Sequence, residues 1–142
     1  MSLAITEAEV TQLLVEAPFA RLYGFQLHAL ADGECVLRVP YQLVFARPDG
    51  LISGPVYMSA ADTALWFAIM TRLGRTDGMA TVTVDMQTAF LRGAVAEDVR
   101  CRARVLKWGR QLIYGSAECE TLTSKLLTHH TLTYIRANAK GA

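Results

Sequence analysis

The stretch SGPVYMSAADTALWFAI occupies residues 53–69, and its composition decides how the rest of the chain must be arranged. Ser53, Gly54 and Pro55 form a helix entry: a hydroxyl suited to capping, a permissive glycine, and a proline whose missing N–H is not needed in the first turn. The helical pattern runs on to about Leu73, with Gly74 as its terminator. It is apolar nearly all round. A helix of that kind is buried on most sides, so the other elements must wrap it.

Beyond Gly78 the period becomes two. Val82, Val84 and Met86 make one apolar strand face, with Thr81, Thr83, Asp85 and Gln87 on the other. Val99, Cys101, Ala103 and Val105 alternate in the same way with Arg100, Arg102 and Arg104, which read as a solvated face. Trp108, Gly109 and Arg110 form a turn into a strand over 111–120, and a last strand covers 125–136. Upstream, Thr6 and Glu9 have capping-box spacing ahead of Val10, Leu13 and Leu14, and Pro18 ends that helix. Residues 25–30 and 34–39 then form a hairpin around Ala31, Asp32 and Gly33. The expectation is an α+β fold, one long central helix wrapped by a mostly antiparallel sheet of five or six strands.

With 142 residues the chain suits a single domain over 1–142, and 52% hydrophobic against 19% charged residues excludes disorder. The net charge of +1 gives no reason to expect a nucleic-acid partner. Positive charge is local: six basic residues lie between Arg92 and Arg110 against Glu97 and Asp98, which suits one anionic small molecule. Residues 1–20 hold Glu7, Glu9 and Glu16 and no Lys or Arg, so no secretory leader is expected. Ser59, Asp62, Thr63 and Arg72 interrupt the most apolar stretch, which argues against a membrane partner and for a cytoplasmic protein. Cys35, Cys101 and Cys119 lack metal or disulfide spacing and read as core residues in a reducing compartment. His129 and His130 are strand neighbours pointing to opposite faces, and His28 has no companion, so no metal is expected.

Asp62 is the only acidic side chain between Val56 and Leu73, with Met58, Ser59, Leu65 and Trp66 as helical neighbours. A carboxylate so placed must be hydrogen-bonded, face a cavity, or become neutral. The N–H groups at the helix start can stabilise an oxyanion; Pro55 has none, which leaves Gly54 and Val56. Eight residues at a rise of about 1.5 Å separate Gly54 from Asp62 by about 12 Å, too far for one reacting centre. If both act, they come from two chains whose helices lie antiparallel across a twofold axis. Asp85 is the second carboxylate to consider, on the strand face of Thr83.

The quoted run, followed by TVTVDMQTAFLRGA (81–94) and VLKWGRQLIYGSAECE (105–120), resembles the hotdog-fold acyl-CoA thioesterases of the phenylacetic-acid-pathway (PaaI-like) type. The likeness extends over roughly residues 20–136. That family has His-Gly-Gly, six residues and a catalytic Asp; here the same spacing reads Ser53-Gly54-Pro55, six residues and Asp62. The resemblance implies Gly54 as oxyanion donor, Asp62 as nucleophile or general base, and Thr83 as the hydroxyl holding the attacking water. Ser53 stands in place of the His, and Arg47 falls near an Asn or Gln that positions carbonyl or water. It further implies a homodimer with shared active sites, commonly assembled into a homotetramer, an acyl-CoA substrate, and no metal or cofactor. A medium-chain or aromatic acyl group would lie among Tyr57, Met58, Trp66 and Phe90, with Arg92, Lys107 and Arg110 meeting the CoA phosphates. Two other readings share the fold: a non-catalytic acyl-CoA-binding module, and a hydratase or dehydratase, which would want a pocket His where Ser53 stands.

Overall fold

The structure, a computed structural model, describes residues 2–137. Helix α1 (Glu7–Glu16) opens with the expected capping box: Thr6 Oγ1 accepts from the Glu9 N–H at 3.1 Å, and the Glu9 carboxylate accepts from the Thr6 N–H at 3.0 Å. Pro18 does more than stop this helix. It sits at the start of a second one, α2 (Pro18–Tyr23), where a missing N–H is harmless. Gly24, in the left-handed region at φ 71°, ends α2 and turns the chain into the sheet.

Strands β1 (Gln26–Ala31) and β2 (Glu34–Val39) form the expected hairpin. The long helix α3 (Gly54–Met79) follows, and then β3 (Thr81–Phe90), β4 (Val99–Trp108), β5 (Leu112–Thr121) and β6 (Leu126–Arg136). All pair antiparallel in one six-stranded sheet of order β1-β2-β4-β5-β6-β3. The α3 residues Ala60, Ala61, Ala64, Leu65 and Ala68 are at most 1% exposed, so the helix is enclosed by the sheet as its composition requires. Cys35, Cys101 and Cys119 are free thiols inside that core.

Gly74 ends the regular helix as expected: at φ 79° and ψ 178° it breaks α3, and the chain makes one further turn before Met79. The Trp66 indole N–H donates to the Gly78 carbonyl at 2.9 Å and ties this last turn back to the helix. Where α3 meets the sheet, Gly115 of β5 leaves room for Leu65. A Cβ at 115 would lie 2.5 Å from Leu65 Cδ1 and 2.8 Å from the Arg104 carbonyl oxygen. The backbone atom cannot move aside, so Gly115→Ala should cost about 1–3 kcal/mol by overpacking, read as a lower denaturation midpoint at unchanged m-value.

One expectation about β3 fails. Strict alternation places Thr83 and Asp85 on the same face, but the β3–β6 register slips between them. Thr83 pairs with the buried Tyr134, whereas Asp85 pairs with Thr133 on the face turned away from α3. The extra residue of this bulge is Val84. The expected apolar face of β3 is split as well: Val82 and Val84 are 51% and 53% exposed, while Met86, the register partner of the buried Leu132, is half-buried against the core. Strand β3 is one of the two edges of the sheet, β1 being the other, with no strand beyond it among the described residues. Among those residues, too, no helix is long and apolar enough to cross a membrane.

Candidate active site

Asp62 projects from α3 toward the paired strands β3 and β6. Because Thr83 and Tyr134 are register partners, their hydroxyls stand side by side on the sheet face that covers the helix. Both reach the same carboxylate oxygen. Thr83 Oγ1 donates to Asp62 Oδ1 at 2.6 Å, and the Tyr134 hydroxyl lies 2.5 Å from Oδ1 and 2.7 Å from the Asp62 backbone carbonyl. Burial, and next the adjacent Asp62 charge, push the Tyr134 phenol well above its ordinary range, so it remains a proton donor. The carboxylate opens into a pocket of about 320 Å³ walled by Phe19, Ala20, Trp66, Phe67 and Val82. Asp62 is thus both hydrogen-bonded and at a cavity, two of the conditions its setting demands.

Gly54 belongs to another depression, of about 530 Å³, lined also by Arg47, Tyr57, Phe90, Leu91 and Arg92. At the start of α3 the first N–H groups lack helical partners. The Val56 N–H is taken by the Ser53 carbonyl at 3.1 Å, while no backbone or side-chain acceptor among the described residues meets the Gly54 N–H. Gly54 is therefore the available donor. Phe90 lies over it so closely that a Cβ at 54 would come within 2.9 Å of the ring. Tyr57 is buried and its hydroxyl lacks a partner among the described residues; burial pushes this phenol up to about 12. Arg47 pairs with Asp49 at 2.8 Å.

The expected residues are thus divided. Asp62, Thr83 and Trp66 meet in the first pocket, and Gly54, Arg47, Tyr57, Phe90 and Arg92 meet in the second, with no lining residue in common. Ser53 and Val56 line a third, about 260 Å³, with Leu22, Val44 and Pro55; Met58 is half-buried and lines neither of the first two. Lys107 is exposed on β4, in the row of Tyr114, Thr133 and Asp85 that faces away from α3, and Arg110 is exposed in the β4–β5 turn. Arg102 and Arg104 of β4 lie on the solvated face expected, whereas Arg100 is half-buried; Arg100 and Arg102 both pair with Glu120. His129 and His130 do point apart: His129 meets Glu118, and the buried His130 meets Thr88 and Thr128.

Sequence reasoning missed Tyr134, Phe19 and Phe67. For Tyr134 a signal existed: it follows His130 and Leu132 at period two, all three buried, and an inward tyrosine needs a partner for its hydroxyl. Phe19 gave none, because its helix was not expected.

Against known proteins, the family model described as Thioesterase superfamily matches residues 49–128. A curated protein of Saccharolobus solfataricus named "Putative esterase" is 29% identical over 97 residues, 68% of this chain and 67% of that one. Among solved structures, zebra fish thioesterase superfamily member 2 superposes with a TM-score of 0.82 at 24% identity, covering 93% of this chain and 99% of that one. A mutant of the phenylacetic acid degradation protein PaaI from Thermus thermophilus gives 0.74 at 24% identity, covering 84% and 98%. Both structures share the wrapped-helix fold.

Proposed function

The chain belongs to the thioesterase superfamily, and from that premise we propose that it hydrolyses an acyl-CoA thioester to the free acid and the CoA thiol. The observation that carries this reading is the Asp62 carboxylate, held by two hydroxyls at the mouth of an apolar pocket. Such a group can act on an ester carbon whose acyl chain fills that pocket.

The proposed centre is shared between two copies. Thr81, Val82 and Thr83, at one end of the open edge strand, line the Asp62 pocket, and Phe90, at its other end, lines the Gly54 pocket. Antiparallel pairing of β3 with the β3 of a second copy brings the Asp62 end of each chain against the Gly54 end of its twin. It also covers Val82 and Val84, which lie bare in the single chain. Assembly of such dimers into a tetramer is part of the proposal.

In this arrangement the thioester carbonyl accepts from the Gly54 N–H of one chain while Asp62 of the other acts beside Thr83. If Asp62 serves as base, it takes a proton from water. The hydroxide adds to the carbonyl carbon, the oxyanion forms at Gly54, and the C–S bond breaks as the thiolate recovers the proton. If it serves as nucleophile, its oxygen adds to the same carbon, the thiolate leaves, and water then opens the mixed anhydride. Neither route uses a cofactor. The acyl group is medium-chain or aromatic, in keeping with a pocket walled by Phe19, Trp66 and Phe67. Arg92 and Arg47, which flank Gly54, are the nearer cations for the CoA phosphates, with Lys107 and Arg110 further out on the surface.

Thiol release measured over a panel of acyl-CoA esters tests this reading. Turnover should be highest for medium-chain and aromatic acyl groups and fall for chains too long for a pocket of about 320 Å³. Binding of CoA esters without release of thiol from any of them would leave a binding module instead.

A further inference from the structure

An aspartate has two carboxylate oxygens, and here they are treated very differently. Oδ1 receives both hydroxyls, from Thr83 at 2.6 Å and Tyr134 at 2.5 Å. No donor among the described residues reaches Oδ2. We propose that Tyr134 is a positioning residue: together with Thr83 it pins Asp62 by Oδ1, so that Oδ2 is the oxygen that meets the reacting carbon or the attacking water. This rests on the thioesterase reading above and deepens it, by assigning the reactive atom and adding a residue to the site.

Three features support the assignment. Tyr134 is 3% exposed and fixed on β6, between β5 and β3, so its hydroxyl is held by the sheet rather than by a loop. That hydroxyl also lies 2.7 Å from the Asp62 backbone carbonyl, so it registers the strand on the helix turn that carries the carboxylate. And the Thr83 and Tyr134 hydroxyls approach from neighbouring strands. Rotation of the carboxylate about its last bond would break two hydrogen bonds at once, whereas with one hydroxyl removed it would break one. An oxygen that already accepts two O–H bonds is the poorer nucleophile and base, which leaves the work to its twin.

The test compares Tyr134→Phe, Thr83→Val and the double variant with the native protein. Tyr134→Phe keeps the ring that packs in the core and removes only the hydroxyl. Its kcat should fall about ten-fold with KM little changed, because the lost bond orients a reacting group and does not hold substrate. The double variant should lose little more than the worse single variant, because both bonds together are needed to hold the carboxylate in one orientation. Losses that multiply would mean independent roles, and a Tyr134→Phe enzyme with native kcat, or with its loss confined to KM, would overturn the proposal. Crystal structures give a readout independent of turnover: Asp62 should hold one carboxylate orientation in the native protein and a rotated or divided one in Tyr134→Phe. An unaltered Asp62 in the variant refutes the pinning even if the native protein cleaves no thioester. The absence of thioester cleavage, with Asp62 rotated in the variant, refutes the proposed reaction alone.

Discussion

Asp62→Asn should lower kcat for thioester hydrolysis by about a thousand-fold, the scale of a lost acid–base group, and leave the fold intact. The separation of the two effects follows from the geometry. An asparagine in the same place still offers Oδ1 to the Thr83 and Tyr134 hydroxyls, whose bonds of 2.6 and 2.5 Å tie α3 to β3 and β6. What it lacks is a second oxygen able to attack a carbon or take a proton. The thermal midpoint should therefore stay close to native while thiol release falls to the level set by the remaining Gly54 donor. Equal turnover by the two proteins would remove Asp62 from the chemistry.

The second large effect concerns one backbone hydrogen. Gly54→Pro deletes an N–H at the start of α3 that meets no acceptor among the described residues, at a first helical position where a proline ring is tolerated. Gly54→Ala is the control, since it adds the same Cβ against Phe90 but keeps the N–H. The proline variant should fall below the alanine variant by about 10²–10³-fold in kcat, the loss for a missing oxyanion donor. Far-UV circular dichroism checks that the helix persists.

Mixing adds a stringent test of the proposed shared centre. A dimer of one Asp62→Asn chain and one Gly54→Pro chain has one centre with both native parts and one with neither. Random pairing makes half of the dimers mixed, with half of their centres whole, so two dead proteins should regain about a quarter of native activity. If each chain carried a complete centre, the mixture would remain dead.

Much of this was legible in the residues, for a physical reason. A helix apolar on nearly every side has few places to go except inside a sheet, and Ala60, Ala61, Ala64 and Ala68 mark it as one that a sheet can approach closely. Alternation along β4 separated its buried side from its arginines because period two is a local property. What escaped was not local. The bulge at Val84 carries no glycine or proline to announce it, and it alone moves Asp85 away from Thr83. The partnership of Tyr134 with Asp62 joins residues 72 apart in the chain and depends on which strands pair, which no spacing within β6 reveals. Helix α2 escaped because Pro18 can close one helix or begin another.

The valine-bearing rim of β3 also has a bearing on the early life of each molecule. A freshly synthesised copy leaves the ribosome with a row of unsatisfied peptide groups and bare aliphatic side chains, a template to which any extended polypeptide can add. In the proposed dimer a second copy covers this rim, so early pairing would guard against clumping, and dilution or heat that separated the copies would restore the hazard.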